Sequence, residues 1–135
     1  MVQKGDSEMS QLEQEIESIY KHVKELVLDD AIYPKLSEEL NWSVQMLARS
    51  GEILAHAEIE EKKARAIHLQ EEIKKDGKIG ATMLKEIVSA LTANESKIVT
   101  LSDRLNSLLV HRIDALRTQI SYVKSDLERS RYQKS

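Results

Sequence analysis

The sequence predicts an all-α fold: an elongated helical hairpin or coiled-coil bundle, long in its second and last helices and assembling with copies of itself. Three observations predict it. The 135 residues include one proline and four glycines, which allows few turns. Charged residues make up 32% and aromatics 4%, with no phenylalanine, the Ala, Glu, Lys, Leu and Arg mixture of long helices. Apolar residues also recur every three or four positions over most of the chain.

Residues 1–30 form an acidic N-terminal helix in this reading, beginning near Ser7 or Ser10 and ending near Leu28. Ser10-Gln-Leu-Glu13 fits a capping box, in which the serine and the glutamate satisfy free N–H groups at a helix start. Leu12, Ile16, Ile19, Val23, Leu26 and Val27 follow at helical spacing. Asp29, Asp30 and Pro34 mark the break, and proline suits the first turn of the next helix because its missing N–H has no partner there.

The second helix is expected over 34–75. Leu36, Leu40, Val44, Leu47, Gly51 and Leu54 make one stripe at spacings of 4, 4, 3, 4 and 3. Beyond Leu54 the pattern turns polar, and Ala55, Ile59, Ala66, Ile67, Leu69 and Ile73 keep a weaker apolar side. Such a helix is roughly 60 Å long, against about 37 Å for the diameter of a compact domain of this size. It must bend or overhang, and an overhanging apolar stripe needs another chain to cover it.

Lys75-Asp-Gly-Lys-Ile-Gly80 is the clearest loop, taken as 74–80. The C-terminal helices occupy 81–130. A third helix carries Met83, Leu84, Ile87, Val88 and Leu91 to about Ala93. Asn94 either caps a fourth or the two run on unbroken. The fourth has Ile98, Leu101, Leu105, Leu109, Ile113, Leu116, Ile120, Val123 and Leu127 at spacings of 3, 4, 4, 4, 3, 4, 3 and 4, a seam with one stutter. Packing inside one bundle and packing between subunits explain that seam equally well. The long second helix favours the second option, with Leu105, Leu109, Ile113, Leu116, Ile120 and Val123 as the oligomer interface. The helical hairpin sets segments two and four antiparallel, reversed through Gly77 and Gly80.

Several chemistries have no basis in the sequence. There is no cysteine, so there is no disulfide, thiolate ligand or thiol nucleophile. Gly77-Lys-Ile-Gly80 lacks the spacing of a phosphate loop. His22, His56, His68 and His111 are scattered and make no H-E-x-x-H pattern. Adjacent carboxylates such as Glu60-Glu61 point apart on a helix, and no serine sits in a nucleophile elbow. The expectation is a non-enzymatic protein without cofactor or metal. No apolar run approaches the roughly 18 residues of a membrane span, and the N-terminus shows no signal peptide, so a cytoplasmic protein without a membrane partner is expected.

The formal charge of −3 is uneven: residues 1–61 carry −9 and residues 62–135 carry +6. Two basic clusters stand out. Lys62, Lys63 and Arg65 continue into Lys74, Lys75 and Lys78. Arg104, Arg112, Arg117, Lys124, Arg129 and Arg131 lie on the last helix, with Arg117 and Lys124 seven apart on one face. Tyr122 and Tyr132 lie where they can stack on unpaired bases. Solvated helix faces explain the same pattern. An antiparallel hairpin puts the loop cluster at one tip and the end of the last helix toward the other, so only part of the charge meets on one surface.

Helix order, the basic run EEKKARA at 60–66, the loop KKDGKIG at 74–80 and the closing LRTQISYVKSDLE at 116–128 carry a family resemblance. Over roughly residues 35–128 the chain resembles the UvsY-type recombination mediators of tailed phages and their phage-encoded relatives. The resemblance implies a helical homo-oligomer in the host cytoplasm that binds single-stranded DNA. It also implies help in loading a RecA-like recombinase onto strands covered by single-stranded-DNA-binding protein. Lys62, Lys63 and Arg65 match the family's DNA-contacting basic run, and the final helices match its oligomerising part. Residues 1–28 extend beyond it. The expected function is therefore sequence-independent strand binding by Lys62, Lys63, Arg65, Lys74, Lys75, Lys78, Arg117 and Lys124. The alternative is a coiled-coil scaffold or regulator that grips protein alone, including a phage inhibitor of host defence.

Overall fold

The structure, a computed structural model, describes residues 4–25, 33–75 and 79–133. They form four helices and no strand: α1 (Lys4–Glu25), α2 (Tyr33–Lys75), α3 (Ala81–Leu91) and α4 (Ala93–Gln133). No described helix is long and apolar enough to cross a membrane. Gly77 and Lys78, with the expected reversal through them, lie outside the described residues.

The hairpin is present. Ser50 meets Asn106, and Ser43 and Glu39 meet Arg112. Residue numbers on α2 rise as those on α4 fall, so the two helices are antiparallel. α2, at 43 residues, has a contour of roughly 64 Å. The closely approaching faces carry small hydroxyl residues: Ser43, Ser50 and Ser102 are fully buried. Ser102 donates to the Ile98 carbonyl at 2.7 Å, which satisfies its buried hydroxyl within its own helix.

α1 lies along this hairpin, antiparallel to α2 and parallel to α4. Glu15 pairs with Arg49 and His22 with Glu39, while Glu13 pairs with Lys97. Ile16 and Ile19 enter the core with Ile53, Ala57, Ile98, Leu105 and Leu109. Each such side chain contributes about 1.5–3 kcal/mol by leaving water. α1 starts earlier than expected: Ser10 lies inside the helix rather than capping it. The reason is tertiary, since buried Met9 joins the same core cluster as Ile98 and carries the helix past the local signal. Leu26, Val27 and Leu28 lie outside the described residues.

The division between α3 and α4 is a single residue. Thr92 leaves helical geometry at φ −105° and ψ 20°. Its buried hydroxyl donates to the Val88 carbonyl at 2.9 Å, and its own carbonyl accepts from Ser96 N–H at 3.0 Å. Asn94 is therefore the second residue of α4 and not its cap.

The seam needs correction. Leu105, Leu109, Ile113 and Leu116 are at most 5% exposed within one chain. α1 and α2 already cover this part of α4, so these four side chains belong to the chain's own core and present no surface to another subunit. Ile120 and Val123, further along, are half-buried.

Candidate nucleic-acid interface

The body of the bundle consists of α1, residues 36–57 of α2 and residues 98–116 of α4. At its centre is a buried polar junction. Arg112 Nη2 donates to Glu39 Oε2 at 3.0 Å, Nε to Ser43 Oγ at 3.2 Å and Nη1 to the Val23 carbonyl at 3.5 Å. One guanidinium thus ties α4 to α2 and to α1. Glu39 also meets His22 Nε2 at 3.1 Å and Lys35 Nζ at 3.5 Å, and the His22 ring stacks on Trp42 at 3.9 Å. Burial works against ionisation of Glu39, but the hydrogen bonds from His22 and Arg112 outweigh it. The carboxyl stays below its ordinary 4.5. Arg112, read from the sequence as part of a basic surface, is thereby withdrawn from it.

Outside the body the chain has two extensions. At one end, residues 58–75 of α2 pair with α3 to form a two-helix arm. Lys62, Lys63, Lys74 and Lys75 are exposed there and Arg65 is half-buried. Much of their charge is met locally. Lys63 pairs with Glu60 at 3.6 Å, Arg65 with Glu61 at 3.6 Å and Lys75 with Glu72 at 3.5 Å, all within one helical turn. Lys78 lies outside the described residues.

At the other end, α4 runs past the start of α2. Lys124 Nζ stands 6.0 Å over the Tyr33 ring, so the remainder of α4 extends beyond the first residue of α2. Arg117 and Lys124 are exposed and share a face, and neither pairs with a carboxylate among the described residues. Tyr122 is 69% exposed on the same segment, and Tyr132, Arg129 and Arg131 are exposed beyond it.

The two basic groups do not meet. Arg112 lies level with Glu39 and Ser43, and Arg117 lies further from the arm. Lys62 is then roughly 40 Å along the bundle from Arg117 at 1.5 Å per residue. The sequence had missed Glu39 and Arg112 as a pair. The signal was present in the spacing, because Arg112 stands three after Leu109 and four before Leu116, in the position of a core residue.

Among the described residues no group of three or more His, Asp and Glu side chains is placed to hold a metal ion. No protein family, no curated protein and no solved structure matches this chain.

Proposed function

We propose that the protein binds single-stranded DNA, without base preference, along the overhanging end of α4. What supports this most directly is one helix segment that exposes both kinds of group a strand needs: Arg117 and Lys124, without a carboxylate partner among the described residues, and the aromatic ring of Tyr122 further round the same helix. Phosphates are held by the cations and bases stack on the ring, a combination that tolerates any sequence because every base has a π-face. Lys62, Lys63 and Arg65 play the smaller part, since Lys63 and Arg65 already face glutamates of their own turn. The resemblance to UvsY-type mediators extends the reading to assisting a RecA-like recombinase on strands covered by single-stranded-DNA-binding protein.

The test is fluorescence anisotropy with a labelled single strand across a salt series. Log affinity should fall with log salt by about 0.7 per phosphate contact. Arg117→Ala with Lys124→Ala should flatten that slope by about two contacts' worth. Tyr122→Ala should weaken binding by about 1–3 kcal/mol, the worth of one stacked base. Absence of binding at low salt by a folded chain overturns the reading.

The second reading, a scaffold that grips protein alone, is favoured by the local neutralisation of the arm's cations. It predicts no strand binding at any salt.

A further inference from the structure

The sequence stripe singled out on α2 was to face a partner helix. Its positions 36, 40, 47 and 54 turn toward the chain's own bundle: Leu36 is buried and the other three half-buried. Beside them runs a second stripe that the other described residues leave exposed, α3 bordering it at Ala66 and Leu69. Val44, Ala48, Gly51, Ala55 and Ile59 follow at spacings of 4, 3, 4 and 4. Lys62, Ala66, Leu69 and Ile73 continue it at 3, 4, 3 and 4. Those steps keep all nine within roughly 80° of one another round the helix, and all nine are exposed. Its large members stand well into solvent: Val44 is 46% exposed, Ile59 52%, Leu69 40% and Ile73 54%.

We propose that this stripe pairs with the same stripe of a second copy of the chain, the two α2 helices running antiparallel about a two-fold axis near Ile59. The inference is independent of DNA binding.

Four observations point to that occupant and that direction. The first is Gly51. A glycine inside an exposed helix costs about 1 kcal/mol relative to alanine. The chain's own fold does not require it, because a Cβ there would meet nothing within 4 Å. A missing side chain in the middle of an apolar stripe is what a second helix backbone needs to come close.

The second is size matching. In this antiparallel register Val44 faces Ile73 of the second copy, Ala48 faces Leu69, and Gly51 faces Ala66. Ala48 against Leu69 sets a small residue opposite a large one, and Gly51 against Ala66 leaves room for the two backbones to approach.

The third is charge. Lys62 is the one charged residue in the stripe, and a parallel, in-register pair would set it against its own copy. The antiparallel register sets it opposite Ala55, within a turn of Glu58 of the second copy. Glu52 and Lys63 flank the stripe on one side and come within a turn of each other twice in the pair; both are largely exposed, and in the single chain they pair with Arg49 and Glu60 of their own helix. A lone lysine in a core position fixes register in this way.

The fourth is area. Thirty residues give a strip roughly 45 Å long and 10 Å wide, so the pair buries about 900 Å² in total. That lies below the 1,200–2,000 Å² of standard stable interfaces, so the pairing is reversible and concentration-dependent. The apolar groove of about 320 Å³ between Leu69 and α3 borders the strip and can add to it.

The experiment uses the full chain without DNA. Light scattering from micromolar to high-micromolar concentration should show the mass rising from 15.4 kDa toward twice that value. Ala48→Glu with Leu69→Glu places like charges opposite each other in the pair and should weaken it roughly tenfold or more. Helicity should be unchanged, because both residues are exposed in the single chain. The absence of native cysteine makes a second readout specific. Ala48→Cys and Leu69→Cys chains, mixed and oxidised, should cross-link to each other in preference to themselves. This readout decides the matter if the glutamate variant fails to fold. A chain that stays monomeric throughout overturns the proposal. So does a dimer untouched by the glutamates, or one in which Ala48→Cys cross-links best to itself, which signals a parallel seam.

Discussion

The body and the arm are built from the same residue types and spend them differently. In the body, the apolar side chains between the three helices, among them Ile16, Ile53, Leu105 and Leu109, are covered, and a buried arginine meets its carboxylate across helices. In the arm, Ile67 and Ile73 are more than half exposed and the ion pairs stay within one helical turn. The difference lies in the third helix. α1 covers α2 and α4 where the core lies, whereas the far end of α2 pairs with the short α3. A two-helix ribbon cannot enclose its apolar residues, so they are left for whatever the chain binds.

The largest effect expected from breaking this contrast is at the polar junction. Arg112→Ala leaves Glu39 without its buried guanidinium partner, with only the part-exposed His22 and Lys35 beside it, and should lower stability by about 3–5 kcal/mol. Denaturant unfolding measures it. Changing Arg112→Met together with Glu39→Leu should recover most of that loss, since a well-packed apolar pair often equals a buried ion pair.

Core truncation comes next. Leu109→Ala should lower stability by about 2–5 kcal/mol, whereas Ile73→Ala in the arm should change it by no more than about 0.5 kcal/mol. Equal losses at the two sites would erase the contrast.

Acid should act on the body through its carboxylates. The hydrogen bond and charge of Arg49 hold Glu15 below 4.5, despite some burial, and His22 and Arg112 do the same for Glu39. A carboxyl whose folded value is depressed stabilises the fold above its unfolded value, and that stability is lost as pH falls through the folded one. Thermal melting should therefore hold steady down to about pH 5 and decline below the ordinary 4.5. Glu39→Gln should shrink the decline. Lys97 has the opposite sign: its bond to Glu13 raises it above 10.5, so its contribution is lost only as pH rises beyond that value.

At the small end, Gly51→Ala should raise the stability of the dilute chain by about 0.5–1 kcal/mol. Lys63→Ala should cost less than about 0.5 kcal/mol, as exposed pairs within a helix do.

Much of this architecture was legible in spacing. Proline at 34, glycines at 77 and 80 and the run from Ile98 gave helix order and the hairpin. Helix starts were less legible, because Met9 and Ile98 extend α1 through packing that no local signal at Ser10 records. The seam on α4 was misassigned because spacing alone does not say which helix covers it: Leu105 to Leu116 face α1 and α2 of the same chain. Arg112 was counted as surface charge because its core position outweighs its chemistry only when Glu39 is brought beside it. The exposed α2 stripe was partly visible as Ala55, Ile59, Ala66, Leu69 and Ile73. Its continuity back through Gly51 to Val44 emerged once Leu40, Leu47 and Leu54 were seen to turn inward.

Residue-resolved amide hydrogen exchange on the dilute chain tests the central contrast most directly. The amides of Ile53, Ala57, Leu105, Leu109 and Leu116 should exchange only through global unfolding. Those of residues 66–75 and 82–87 should exchange sooner, through local opening of much smaller free energy. Uniform protection from one end of α2 to the other would contradict the account, because it would mean that the arm is held as firmly as the body without any partner to cover it.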